Sequence, residues 1–486
     1  MSLPIVWTIA GSDSSGCSGV QADLKTFQYL GVHGCSIVTA VTSQNIDTFH
    51  SAQMVSKEQV RSQIETVLVN LPPKVIKIGM LGNVEIIKIL TDFFQHYSGQ
   101  VVLDPVLVST SGKHLFSDNR GDYVVALKTL FPFIDILTPN LLEAGTILGR
   151  SIQSYEDIIL AANELLSLGV KNVLIKGGHY SCDFFSQDYW TNGKESYWIT
   201  SLRYFPGKYR GTGCTLASAI AACLALGYAI RDAIVLAKMF INQALRLADT
   251  TYAKNILVYA GWPETEMDLP YLTLQPMTTK PVAFPDCGDG VLGLYPIVDS
   301  VEWVKKLLPL GVKTIQLRIK DKRGSALEKA IQCGIQLAKQ YNAKLFINDY
   351  WELAIQYNAY GVHLGQEDLA SADIQYIRQA GLRLGISTHC YYEVARAHAY
   401  APSYIACGPI FPTQSKTMDF SPQGIKNLQR WRRTLNYPLV AIGGINLNNI
   451  SAVRQTNVDG IAMISAITQA ENFVVATKKL LASFCH

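Results

Sequence analysis

Residues 261–293 read GWPETEMDLPYLTLQPMTTKPVAFPDCGDGVLG, with prolines at 263, 270, 276, 281 and 285 and a Cys287-Gly288-Asp289-Gly290 turn near the end. Proline fixes φ and withholds its N–H, so this density excludes a continuous helix or a central strand. The segment is predicted to be an extended linker over 263–290, docked on a surface. It divides the 486-residue chain into domains 1–262 and 291–486.

The two sides carry unlike patterns. Before the linker, apolar β-rich runs at Ile5–Ala10, Ser36–Val41, Val75–Gly79, Val101–Asp104, Ile134–Leu137 and Asn172–Lys176 alternate with helical spacing, which predicts an α/β sheet domain. The stretch Gly19–Leu30 sets Val20, Leu24 and Phe27 on one face, as a helix packed on a sheet requires. Leu216–Ile230 falls short of the ~20 residues that cross a bilayer and reads as one buried helix. After the linker there are eight short apolar runs: Leu294–Val298, Thr314–Leu317, Leu345–Ile347, Gly361–Leu364, Leu384–Ile386, Tyr404–Ala406, Leu439–Ile442 and Gly460–Met463. Eight strands alternating with helical segments predict a compact TIM (β/α)8 barrel, with its active-site rim after the strands.

With 49% hydrophobic and 16% charged residues, the composition is that of packed domains. A net charge of +4 without basic blocks argues against nucleic acid as a partner. The first basic residue is Lys25, so no signal peptide is expected, nor any membrane association, and a cytoplasmic location follows. Ten cysteines without a CxxC pair read as reduced thiols.

Gly211-Thr212-Gly213-Cys214-Thr215 precedes the apolar helix, so free backbone N–H groups and a positive helix end point at one spot, where an anion should bind. A helix N-terminus is also expected to lower the Cys214 thiol pKa toward neutrality. A tight turn needing two glycines would explain the motif equally well in isolation. Further fragments accompany it: Ala10-Gly11-Ser12-Asp13, Val41-Thr42-Ser43-Gln44-Asn45, Lys77-Ile78-Gly79-Met80, Asp104-Pro105-Val106, Thr138-Pro139-Asn140 with Glu143, and Val173-Leu174-Ile175-Lys176-Gly177-Gly178. Together they resemble the ribokinase-like hydroxymethylpyrimidine and phosphomethylpyrimidine kinases over residues 4–255.

That resemblance implies a ribokinase-like α/β sandwich using ATP and Mg²⁺ on small-molecule substrates, with a homodimer formed through this domain. It implies catalytic roles for Cys214, Gly211 and Gly213. Gly11, Asp13, Gln44, Met80 and Val106 would contact the pyrimidine, Gln44 reading its edge by an amide. Lys176, Asn140, Glu143 and Thr212 would serve the nucleotide and its magnesium. Two positions depart from the pattern: Arg210 stands where a histidine usually precedes the motif, and the first loop reads Ser14-Ser15-Gly16-Cys17-Ser18.

In the barrel half, Gln316, Arg318 and Lys320 are two apart, so in a strand they project to one face, here the mouth. Inward basic residues need an anionic partner. Asn348-Asp349 and Asp368 fall on the next two loops, which would let Mg²⁺ bridge carboxylates and diphosphate oxygens. With Pro412-Thr413-Gln414-Ser415-Lys416, Ile442-Gly443-Gly444-Ile445, Met463-Ile464-Ser465-Ala466, Ser387 and His389, residues 293–475 resemble thiamine-phosphate synthase. The resemblance implies metal ligation by Asp349 and Asp368. Arg318, Lys320, Asn348 and Lys416 would stabilise departing diphosphate. Gln316 and Ser387 would orient the pyrimidine, Thr413 and Ser415 the thiazole, and Gly444, Ile464 and Ser465 the thiazole phosphate. Ile319 stands where an acid is expected. A pyridoxal-type kinase joined to a thiazole tautomerase, and a barrel that only senses thiamine phosphates, are the rival readings.

Overall fold

The computed structural model describes residues 2–107, 116, 118–178, 184–204, 209–251, 255–288, 291–413 and 422–484. The chain forms two compact units, Met1–Pro263 with Met267–Thr279, and Glu264–Glu266 with Lys280–His486. Among the described residues no helix is long and apolar enough to cross a membrane, and no disulfide joins the described cysteines.

The first unit is built on one ten-stranded sheet: β1 Ile5–Asp13, β2 His33–Gln44, β3 Phe49–Met54, β4 Val75–Ile78, β5 Gln100–Leu103, β6 Ile136–Leu137, β7 Val173–Ile175, β8 Phe185–Thr191, β9 Ser196–Leu202 and β10 Tyr271–Thr273. Their order is β10-β9-β8-β7-β6-β5-β4-β1-β2-β3. β2, β1, β4, β5, β6 and β7 pair in parallel, and the rest join by antiparallel pairing. The chain steps away from β1 in both directions, so a crevice opens beyond the carboxyl ends of β1 and β4, where such sheets bind ligands. β10 lies within the proline-rich segment but at the sheet edge, where proline is tolerated.

Leu216–Ile230 is not one helix. A helix over Thr212–Ala225 stops before Gly227, whose φ is +94°, and a second helix runs from Ile230 to Arg246. Every residue from Thr215 to Ala225 is buried, as a helix apolar on all sides must be.

The second unit is a closed barrel of eight parallel strands: β11 Gly293–Val298, β12 Thr314–Leu317, β13 Lys344–Asn348, β14 Gly361–Leu364, β15 Arg383–Thr388, β16 Tyr404–Cys407, β17 Leu439–Ile442 and β18 Gly460–Met463. β18 pairs with β11 to close it. The eight predicted runs all fall within these strands. Tyr295, Phe346 and Tyr404 fill the interior, and small residues face them: a Cβ at Gly385 would lie 2.1 Å from the Tyr404 ring, and one at Gly361 2.6 Å from that of Phe346. This large-against-small interlock leaves no room for a methyl group. Gly385→Ala is therefore expected to destabilise the protein by about 1–3 kcal/mol in urea denaturation; unchanged stability would contradict the interlock.

Candidate active sites

The first unit carries a cleft of about 820 Å³ at the crevice. It is lined by Gly11, Asp13, Gln44, Met80, Val106, Asn140, Glu143, Lys176, Gly211, Thr212, Gly213 and Cys214, so the residues predicted for this half from seven separate segments meet in one place. Gly211 caps the helix Thr212–Ala225 at φ +76°, and a Cβ there would fall 1.9 Å from the Cys17 carbonyl oxygen. Only glycine lets the helix N-terminus press against the first loop. A Cβ on Gly213 would sit 3.1 Å from Lys176 Nζ and 3.5 Å from Asp104 Oδ2. The nest of N–H groups thus lies beside an ion pair.

That pair, Lys176 Nζ to Asp104 Oδ1 at 2.6 Å, has Glu143 Oε2 at 3.9 Å from the same ammonium. Burial alone would lower the lysine; the Asp104 and Glu143 carboxylates overcome it and hold Lys176 above its ordinary range. Burial raises Glu143 to about 7, against Lys176 and with the help of Asp104. Asn140 and Glu143 form a capping box for the helix Leu141–Leu148, at 2.8 and 2.9 Å. Asp13 lines the cleft, but its two carboxylate oxygens accept from Ser15 and Ser18 backbone and hydroxyl groups at 2.6–2.9 Å. Its carboxylate holds the first loop. Met80 and Val106 share a small apolar cluster with Phe49.

The expectation for Cys214 is overturned. Burial pushes its thiol up to about 11; Lys77 opposes this, Asp23 and Asp104 add to it, and the Gly19 N–H opposes it. Desolvation of the sulfur outweighs the helix terminus, so at neutral pH Cys214 is a thiol.

In the second unit β12 ends at Leu317, so Arg318 and Lys320 stand on the following loop rather than in the strand. Ile319 between them is buried, and Lys320 still reaches the Asp349 carboxylate. Asp349 sits at φ +65°. Asp368 is raised by burial, by the charge of Asp349 and by a hydrogen bond between the two carboxyl groups, against the Gly365 N–H and Lys320. Asn348, buried, ends β13 beside them.

Beneath this cluster runs a hydrogen-bonded chain. Gln316 bonds to Tyr295 and Tyr404, Tyr295 Oη lies 2.8 Å from Tyr404 Oη, His363 Nδ1 2.7 Å from Tyr404 Oη, and His363 Nε2 2.8 Å from Ser387 Oγ. Across the rim, a Cβ on Gly444 would lie 2.5 Å from the Pro412 carbonyl oxygen, which places the Gly443-Gly444 turn against the loop bearing Thr413. Ile464 and Ser465 follow β18, Ser465 opening a short helix. Ser415 and Lys416 lie outside the described residues.

The phosphomethylpyrimidine kinase family matches residues 13–258, and the thiamine monophosphate synthase family matches residues 294–467. The chloroplastic thiamine biosynthetic bifunctional enzyme of Arabidopsis thaliana is 33% identical over 98% of this chain and 92% of its own. The chain belongs to the bifunctional thiamine biosynthetic enzymes. This chain joins a phosphomethylpyrimidine kinase domain to a thiamine-phosphate synthase domain. The synthase half is 57% identical to the thiamine-phosphate synthase of Citrobacter koseri, over 39% of this chain and 91% of that one. The kinase half has the ribokinase-like fold of the Staphylococcus aureus pyridoxal kinase solved with ADP: TM-score 0.50, 32% identity, 56% of this chain and 98% of that one.

Sequence reading missed several residues of this bifunctional enzyme's sites. Lys77 and Asp23 form a wholly buried ion pair at 2.8 Å beneath the cleft; the signal was a lysine inside the apolar strand VIKI. Lys77 and Asp104 stand in the motifs quoted above without being given a role; Phe49 was passed over, as were Tyr295, Tyr404 and His363, whose polar atoms stand in runs that read as core.

Burial pushes His363 down to about 4, Asp349 opposing and Arg318 adding. Its folded value lies below its ordinary 6.5, so the unfolded chain takes up the proton first. His363's contribution to stability is intact above pH 6.5 and is lost as pH falls from there to about 4, by about 3 kcal/mol. His398 titrates in the same window. Melting curves of His363→Gln should therefore keep part of the acid-side slope and lose His363's share; a slope identical to that of the unsubstituted protein would contradict this.

Proposed function

We propose that the first unit phosphorylates 4-amino-5-hydroxymethyl-2-methylpyrimidine and then its monophosphate with ATP, and that the second condenses the resulting diphosphate with thiazole phosphate to give thiamine phosphate and diphosphate. The observation that carries this is one anion site of distinct construction in each unit: a helix-terminal nest beside Lys176, and a carboxylate pair beside Lys320.

In the kinase half, the N–H groups of Gly211 to Gly213 and the Lys176 ammonium stabilise charge on the phosphoryl oxygens, preorganised by the sheet. Phosphoryl transfer through a loose transition state asks little of a base. A protonated Cys214 suits that, positioning the hydroxymethyl oxygen rather than deprotonating it. Gln44 reads the pyrimidine edge between the Met80 and Val106 walls, while Thr212, Asn140 and Glu143 serve the nucleotide side.

In the synthase half, Asp349 and Asp368 fit a divalent cation, because two carboxyl groups close enough to share a proton are relieved of their mutual repulsion by positive charge. Mg²⁺ held there would supply charge neutralisation at the diphosphate oxygens. Arg318 and Lys320, with Asn348 and Lys416, stabilise the leaving diphosphate as the C–O bond breaks and the diphosphate oxygen departs with the electron pair. The thiazole nitrogen then forms the new C–N bond to the pyrimidine methylene. Gln316 and Ser387 hold the pyrimidine, Thr413 and Ser415 the thiazole, and Gly444, Ile464 and Ser465 its phosphate. No protein nucleophile is needed. The same reading includes a homodimer through the first unit.

Two variants test the assignment. Cys214→Ala should lower pyrimidine diphosphate formation, by roughly 10²-fold if it acts in the transition state, and leave condensation of supplied diphosphate intact. Asp349→Ala should do the reverse. Both steps are followed by chromatography of the intermediates, with pyridoxal as a competing alcohol; equal loss of both steps in either variant would defeat the two-site assignment.

A further inference from the structure

The two departures from the kinase pattern, Arg210 and the first loop, meet on one residue. Arg210 is 6% exposed and lines the cleft. Its Nη1 donates to the carbonyl oxygens of Asn45 at 2.5 Å and Ile46 at 3.1 Å, and its Nη2 donates to Gln44 Oε1 at 2.7 Å. From the other side, Gln44 N donates to Ser14 Oγ at 2.9 Å, and Ser14 Oγ donates to Gln44 O at 2.7 Å. Main chain and side chain of Gln44 are therefore each held, by segments 30 and 166 residues away in sequence.

The chemistry of these partners is one-sided. A guanidinium has five donors and no acceptor, so only the amide oxygen of Gln44 can face Arg210. The NH₂ group of the amide is then the end left for a ligand. A histidine at 210 could present either a donor or an acceptor nitrogen, according to its tautomer, and would leave both amide orientations open. Among the described residues no carboxylate pairs with Arg210, and its Nε is buried without a hydrogen-bond partner. The guanidinium is satisfied only in part, by neutral oxygens, and the Gln44 amide oxygen is one of three.

We propose that Arg210 is a positioning residue for ring recognition: it fixes the Gln44 amide with its NH₂ presented to the cleft, and so selects rings that offer an acceptor nitrogen at that edge. The proposal rests on Gln44 contacting the pyrimidine. The aminopyrimidine offers such a nitrogen; an isostere with C–H in its place does not.

The test is steady-state kinetics of the kinase step in the full chain, with the pyrimidine alcohol and with an analogue carrying C–H for the accepting ring nitrogen. Arg210→Ala should raise KM for the alcohol roughly ten-fold, the size of one lost charge-assisted hydrogen bond, with KM for ATP and kcat close to unchanged. Arg210→Lys, which can make one bond but not the fork, should recover part of the loss. The preference for the alcohol over the analogue should narrow in Arg210→Ala. In Gln44→Ala, already raised in KM, adding Arg210→Ala should cost little more. Additive losses, or a matching rise in KM for ATP, would overturn the positioning role in favour of a merely structural one. A silent Gln44→Ala would instead remove the ring-reading role of Gln44, and the proposal with it.

Discussion

A lysine with no access to solvent organises the first unit. Lys77 Nζ lies 2.8 and 2.9 Å from the two carboxylate oxygens of Asp23, which also accept from Thr8 and Ser218 hydroxyls at 2.6 Å. These groups come from β4, the helix Gly19–Leu30, β1 and the helix Thr212–Ala225. A buried charge left unpaired costs several kcal/mol, so a rearrangement that separates any of these elements exposes the pair to that penalty. The helix whose Gly211-capped terminus lines the cleft is thereby tied to the strand ends that also line it. The geometry of the cleft follows from this buried contact.

The barrel meets the same demand differently. Its interior holds Gln316, Tyr295, Tyr404, His363 and Ser387 in one chain of hydrogen bonds, drawn from β12, β11, β16, β14 and β15. Burial keeps His363 neutral, so one ring nitrogen donates and the other accepts. The chain thus links the side chains at its two ends, Gln316 and Ser387, through the floor of the barrel. Above it the charged groups converge, and below it aromatic rings interlock with glycines.

How much of this could be read beforehand follows from what each residue had to satisfy. Barrel strands are short apolar runs bounded by turns, and their positions were legible. In the first unit β8 and β9 were not, because Gln187, Asp188, Thr191, Thr200 and Ser201 are buried polar residues that break the apolar alternation while finding partners such as Lys238 and Asn242 on the helix Ile230–Arg246; β3, Phe49–Met54, is exposed or half-buried after Phe49 and carries no apolar run. β10 was hidden among prolines that forbid only a central strand. That the glycine-rich motif and the paired charges would draw together was legible; the pairings of Lys77, Asp23 and His363 were not, since a buried polar residue gives no sign in the sequence of its partner. The thiol of Cys214 misled because spacing shows a helix terminus but not the desolvation that outweighs it.

The two units carry unlike chemistry joined by one intermediate, the product of the first being the substrate of the second. Label placement tests that account most directly. With ATP labelled in its γ-phosphoryl group, the pyrimidine alcohol and unlabelled thiazole phosphate, both phosphoryl groups put on by the kinase half should leave together in the synthase half. The account expects all transferred label in the released diphosphate, two labelled groups for each thiamine phosphate formed, and none in thiamine phosphate itself. Label in thiamine phosphate, or its absence from the diphosphate, would contradict it.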